Sequence, residues 1–218
     1  MFIGHYGPAF GAKAALRIVP LWVLFIAVQW MDVCWSVLVL LGVEKLRIVP
    51  GFTQASPLDL YYMPFTHGLI GALALSAVFG GIVAAFFRAR RGAVFAIVAA
   101  CVFSHWLLDL VVHVPDMPLW ENTMKVGLGL WHWAWISVPL EIATLLAGAW
   151  LYARYVPVRR SGNIWLWLFV GAMSAVEIYN QFGPIPANPK GMAVMALAAY
   201  AALALLAALV DRTRTPSP

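Results

Sequence analysis

Six apolar runs of about twenty residues, separated by short segments rich in charge, proline or glycine, set the rhythm of this chain. A bilayer's hydrocarbon core takes about 20 helical residues. The runs at about 21–42, 66–87, 93–113, 136–155, 164–182 and 191–210 therefore predict six transmembrane helices. Residues 1–19 are too short and too glycine-rich to span, yet they are mostly apolar, and they fit an interfacial or re-entrant helix. The expected fold is all-α: a single polytopic helical bundle over residues 1–211, with 212–218 as a disordered tail. Residues 43–65, holding Pro50, Gly51, Pro57, Tyr61 and Tyr62, read as an interfacial loop. The turn around Arg88, Arg90 and Arg91 is short enough to make the second and third runs antiparallel neighbours. Trp131, Trp133 and Trp135, just before the fourth run, have the composition of a membrane-interface belt. The last run, alanine- and leucine-rich and free of charge, reads as a packing or lipid-facing helix without chemistry.

Composition agrees. Of 218 residues 63% are hydrophobic and 11% charged, against about 45–50% and 25% in soluble domains. A net charge of +5 would suggest nucleic acid in a soluble protein, but here the lysines and arginines sit in clusters between apolar runs. They read as topology signals and anionic-lipid contacts, so no nucleic-acid partner is expected. With both termini cytoplasmic, the inside segments hold Lys13, Arg17, Arg88, Arg90, Arg91, Arg154, Arg159, Arg160, Arg212 and Arg214, and the outside only Lys45, Arg47, Lys125 and Lys190. That asymmetry obeys the positive-inside rule. Cys34 and Cys101 both fall inside apolar runs, which argues against a disulfide framework. No cleavable signal peptide is evident, and the first run is expected to act as an uncleaved anchor.

Against this background the ionisable residues inside the runs stand out. His105 and Asp109 are four residues apart on one helical face, with Cys101 a turn below and His113 a turn above. Asp32 interrupts the first run near its middle, and His67 opens the second. Charges in a span cost roughly 2.5–3.5 kcal/mol each on insertion scales, so such groups are expected to face a protein interior and serve a function. With the orientation above, His67, His105, Asp109, His113 and His132 all fall towards the outer end, as do Glu177, Asn180 and Gln181. His5 joins them only if the amino-terminal segment dips back beside Asp32. Imidazole and carboxylate are a ligand set for zinc or a similar divalent ion. His132, flanked by tryptophans, reads as an interface residue, and Glu141 lies on the helical face opposite to it.

These residues also resemble a known pattern. Gly4-His5, Met31-Asp32, Pro64-Phe-Thr-His67-Gly68 and Ser104-His105-Trp-Leu-Leu-Asp109 are similar to the signature of the YdjM-like family, bacterial inner-membrane proteins described as membrane-bound metal-dependent hydrolases. The resemblance covers about residues 1–115, and the order of histidines and aspartates is also similar to that of zinc-dependent phospholipase C. It implies His5, Asp32, His67, His105 and Asp109 as metal ligands, with His113 as a possible further one. Two departures are Gly68, where the family often has serine, and the absence of a carboxy-terminal His-x-x-x-Glu counterpart, which together imply one or two ions.

The resulting expectation is a hydrolase whose divalent ion, zinc first and manganese or iron as alternatives, activates a water against a lipid or lipid-linked ester or phosphoester. Asp32 or Asp59 is the expected catalytic base. The expected location is the bacterial inner membrane, and membrane lipids are the expected partners. The alternative is an ion- or proton-coupled transporter using the same His/Asp groups, or a structural subunit with a closed metal shell.

Overall fold

The computed structural model describes residues 1–158 and 161–214. Arg159 and Arg160 of the charge count, and residues 215–218 of the expected tail, lie outside the described residues. A one-turn helix, Ile3–His5, leads into α1 (Tyr6–Ala15), followed by α2 (Leu21–Leu40), α3 (Leu69–Ala85), α4 (Arg91–Val112), α5 (Ala134–Tyr155), α6 (Gly162–Phe182) and α7 (Pro189–Arg212). Five of these, α2, α4, α5, α6 and α7, are long and apolar enough to cross a membrane. The second expected span is shorter than the hydropathy suggests. α3 has 17 residues, about 25 Å at 1.5 Å per residue, because residues 64–68 form a turn that presents Thr66 and His67 sideways.

Helix ends follow local chemistry. Gly42, at φ +74°, takes the left-handed conformation that closes α2, and the Val43 N–H reaches back to the Leu38 carbonyl at 2.8 Å. α7 begins with Asn188 capping the Gly191 N–H at 2.8 Å and Pro189 at its first position. Between α3 and α4 the Arg91 guanidinium hydrogen-bonds to the Ala84 carbonyl at the end of α3, at 3.3 Å.

The expectation of an all-α chain is exceeded in the two connections at the site end. The expected loop 43–65 contains an antiparallel hairpin, β1 (Lys45–Ile48) with β2 (Leu58–Tyr62). The connection after His113 contains a second, β3 (Met117–Trp120) with β4 (Thr123–Val126). Lys125 joins the two by donating to the Tyr61 carbonyl at 2.7 Å. Alternation is too brief in either stretch to mark a strand in the sequence, and each hairpin gains its stability by packing on the bundle.

α3 packs on α4, α2 on α7, and α1 on α5. The last pair crosses at glycines: a Cβ added to Gly148 would meet the Gly7 carbonyl oxygen at 2.1 Å, and one added to Gly7 would meet the Thr144 carbonyl at 2.3 Å. Such small-residue crossings let helix backbones approach closely. This one draws α1, and the turn that carries His5, into the bundle. At the opposite end Asp211 joins Lys13 at 3.1 Å and accepts the Tyr152 hydroxyl at 2.9 Å. Arg214, in the segment expected to be a tail, is buried and donates to the Val156 carbonyl.

Candidate metal centre

Four histidines and two aspartates meet at one end of the bundle. His105 and Asp109 come from the last turns of α4, Asp32 from α2, His67 from the turn before α3, His113 from the end of α4, and His5 from the amino-terminal turn. His5, which could only arrive by a re-entrant path, stacks flat on His105, with ring centroids 3.7 Å apart and planes 5° from parallel. All of these side chains are buried except Asp32, which is partly exposed at 16%.

The arrangement is organised by Asp109. Its Oδ1 lies 3.1 Å from His5 Nε2 and 2.5 Å from the Met1 amino group. Its Oδ2 lies 3.0 Å from His105 Nε2 and 3.6 Å from the Nε2 atoms of both His67 and His113. Asp32 Oδ1 is 3.3 Å from His67 Nε2 and 3.5 Å from His105 Nε2. Two ligand triads result, His5–His105–Asp109 and Asp32–His67–His105, each with its donor atoms within 4.8 Å of one another and sharing His105.

What fixes the chemistry is behind the rings. His105 Nδ1 is 2.7 Å from the Val28 carbonyl oxygen, which can only accept, so Nδ1 carries the hydrogen. His113 Nδ1 meets the Asp116 carboxylate at 2.9 Å, with the same consequence. His67 Nδ1 is 2.9 Å from the Thr66 hydroxyl, which itself donates to Glu44 Oε2 at 2.6 Å, so again the imidazole must donate. In each neutral ring, Nε2 therefore bears a lone pair, and all three lone pairs point at carboxylate oxygens. Lone pair against anion is repulsive unless positive charge lies between them. Protons or a metal ion are the two ways to supply it. The same pattern, with Nδ1–H held by a carboxylate, carbonyl or hydroxyl and Nε2 free, is how ligating histidines are oriented in metal proteins.

His5 adds a further indication. Burial, and then the neighbouring His105 ring, push its imidazole down to about 3 against the pull of Asp109. Neither of its ring nitrogens has an aligned hydrogen-bond partner among the described residues. His105 Nε2 is likewise buried without one. Donor atoms that crowd together but do not hydrogen-bond are what a cation would satisfy, and imidazole with carboxylate suits zinc, manganese or iron.

The segment bearing His5 is itself held from below. Glu141 Oε2 accepts the Phe2 N–H at 2.7 Å and the Gly4 N–H at 3.3 Å, and Gln29 donates to the Phe2 carbonyl at 3.1 Å. A cavity of about 740 Å³ opens beside the cluster, with Asp32, His67, Asp109 and His113 in its wall. The remaining lining is largely apolar, from α6, α7 and the loop between β1 and β2.

Of the sequence candidates, His5, Asp32, His67, His105, Asp109 and His113 are brought together. Asp59 is not: it sits on β2 and is held by Arg47, at 2.7 and 2.9 Å. Cys101 and His132 also stay outside both triads. The reading of α7 as free of chemistry is corrected by Tyr200, whose hydroxyl donates to Asp32 Oδ2 at 2.8 Å. Glu44 and the Val28 carbonyl carry no sequence signal for their roles. Asp116 does carry one, three residues beyond His113. Gly68, where the family pattern often has serine, packs so close to the Pro64 carbonyl that a Cβ would meet it at 2.3 Å. Compared with protein-family models, curated proteins and solved structures, the chain finds no match.

Proposed function

We propose that this chain is a membrane-embedded, metal-dependent hydrolase of the YdjM-like kind, acting on a lipid or lipid-linked ester or phosphoester. The observation that carries this reading is the set of three imidazoles whose Nδ1–H groups are fixed from behind and whose Nε2 lone pairs converge on Asp109 and Asp32. His5, His67, His105, Asp32 and Asp109 would hold the ion, with His113 as a further ligand. A bound divalent ion supplies Lewis acidity and lowers the pKa of a water towards about 7. With the ion held by the other four, Asp32 is the side chain suited to take the water's proton. It is the most exposed member of the cluster, it lines the cavity, and Tyr200 holds its Oδ2 so that Oδ1 faces the histidines. The apolar remainder of the cavity wall suits the chains of a lipid, and water-soluble substrates gain nothing from a cluster among such helices.

In this reading the five long helices span the membrane together with the shorter α3. The carboxy-terminal end of α7 faces the cytoplasm, in keeping with the positive-inside rule, and the site opens towards the outer face of the bacterial inner membrane. The expectation of a cytoplasmic amino terminus is set aside, because the Met1 amino group lies at the site, 2.5 Å from Asp109. The test is elemental analysis of the detergent-purified protein beside His105→Ala and Asp109→Ala. Roughly stoichiometric zinc, manganese or iron in the wild type, lost from both variants while they remain folded, supports the proposal. A wild-type protein that binds no divalent ion even when supplied with one overturns it, and leaves protons as the charge that holds the cluster.

A further inference from the structure

Two glutamates from different helices reach the cavity beside the cluster without belonging to either triad. Glu141 on α5 is occupied, since its Oε2 holds the backbone of Phe2 and Gly4. Glu177 on α6 is different. It is 7% exposed, it lines the same cavity as Asp32, Asp109 and His113, and its Oε2 is buried with no hydrogen-bond partner among the described residues. Its neighbour on the same helical face, Gln181, is tied to the Gln54 carbonyl at 2.8 Å. A bare carboxyl oxygen in an apolar helix is expensive to bury, and ionisable groups so placed mark functional positions. An oxygen that receives no donor is also the one free to carry a hydrogen.

The geometry points to Glu177 as the proton donor to the leaving group of the hydrolysis, an inference that rests on the function proposed above. The water oxygen forms a bond to the phosphoryl or acyl centre while the bond to the leaving alcohol oxygen breaks. The Glu177 proton passes to that oxygen, and the proton released by the water restores the carboxyl group after product departs. No electrons are exchanged. Supply of the proton from α6 leaves Asp109 and the histidines free to bind and polarise.

Matched substrates separate this role from a structural one. Long-chain phosphodiesters and carboxylic esters are prepared in pairs that differ only in the leaving group, p-nitrophenol or a primary alcohol. The phenolate departs without a proton, whereas the alkoxide needs one. With the zinc- or manganese-supplied protein, Glu177→Gln should slow cleavage of the primary-alcohol substrate by about 10²–10⁴-fold. The p-nitrophenyl partner should lose less than a tenth of that factor, and metal content should match the wild type. Glu177→Asp, which keeps the acid on a shorter arm, should recover part of the lost rate and serves as the second variant should the glutamine protein fold poorly. An equal loss on both leaving groups, or no loss on either, overturns the assignment of Glu177 while the hydrolase reading stands. A wild-type protein that cleaves neither pair overturns the hydrolase reading, and this inference with it.

Discussion

Asp59 and Asp109 are both aspartates beside basic side chains, and they are in opposite situations. Asp59 is met by the forked guanidinium of Arg47 at 2.7 and 2.9 Å, and that arginine is 64% exposed and stacks over Tyr61. The pair is neutral, satisfied and wet, the kind that contributes about 0–1 kcal/mol. Asp109 is 2% exposed and faces four imidazole nitrogens, three of which have their other nitrogen bound from behind. The Met1 amino group supplies one positive charge at Oδ1, but the imidazole nitrogens gathered around Oδ2 are satisfied only with more. A carboxylate in a binding centre is therefore distinguished by what its neighbours leave unsatisfied, and proximity to a basic residue says little.

The contrast can be broken hardest on the buried side. Gly148→Ala places a methyl 2.1 Å from the Gly7 carbonyl, so α1 and α5 must part. About 1–3 kcal/mol of stability should be lost, and the His5 turn should shift, lowering both the melting temperature in detergent and the bound metal. A wild-type melt would show that the crossing is looser than described.

Glu44→Gln sharpens the comparison with a smaller change. Its carboxylate accepts the Phe65 and Thr66 N–H groups at 2.8 and 3.0 Å and the Thr66 hydroxyl at 2.6 Å. An amide in that place weakens the acceptor that sets the direction of the Thr66 hydroxyl, and through it the His67 tautomer. Metal affinity should fall about 10–100-fold, as for other outer-shell partners. Competition with a chromophoric chelator measures it, and an unchanged affinity would remove Glu44 from the account. At the small end, Asp59→Asn should change stability by less than about 1 kcal/mol and leave metal content untouched. Loss of metal from that variant would erase the distinction between the two aspartates.

Much of the architecture is legible locally. Runs of apolar residues declare α2, α4, α5, α6 and α7, and the i,i+4 spacing of His105 and Asp109 puts them on one face whatever surrounds them. The hairpins are not legible, because their strands are four or five residues long and lack the sustained alternation that marks a strand. Tyr200 is hidden for another reason. An aromatic residue in an alanine-rich helix looks like packing until its hydroxyl is found 2.8 Å from Asp32, 168 residues away in the chain. Glu141 could be placed relative to His132 on its own helix, but which backbone its carboxylate would hold was set by the path of residues 1–5.

The sequence by itself determined that this chain forms long apolar helices and that a few of them carry imidazoles and carboxylates within otherwise apolar stretches. Composition and helical period act within a few residues, so they can be read one segment at a time. Tertiary structure alone decided that His5 stacks on His105, that Val28, Thr66 and Asp116 fix which nitrogen of each ring faces Asp109 and Asp32, and that Asp59 stays outside. Those outcomes depend on where helices cross, and here the approach of Gly7 to Gly148 sets one such crossing. A crossing is made by two surfaces distant in sequence, and neither strand of the pattern contains it alone.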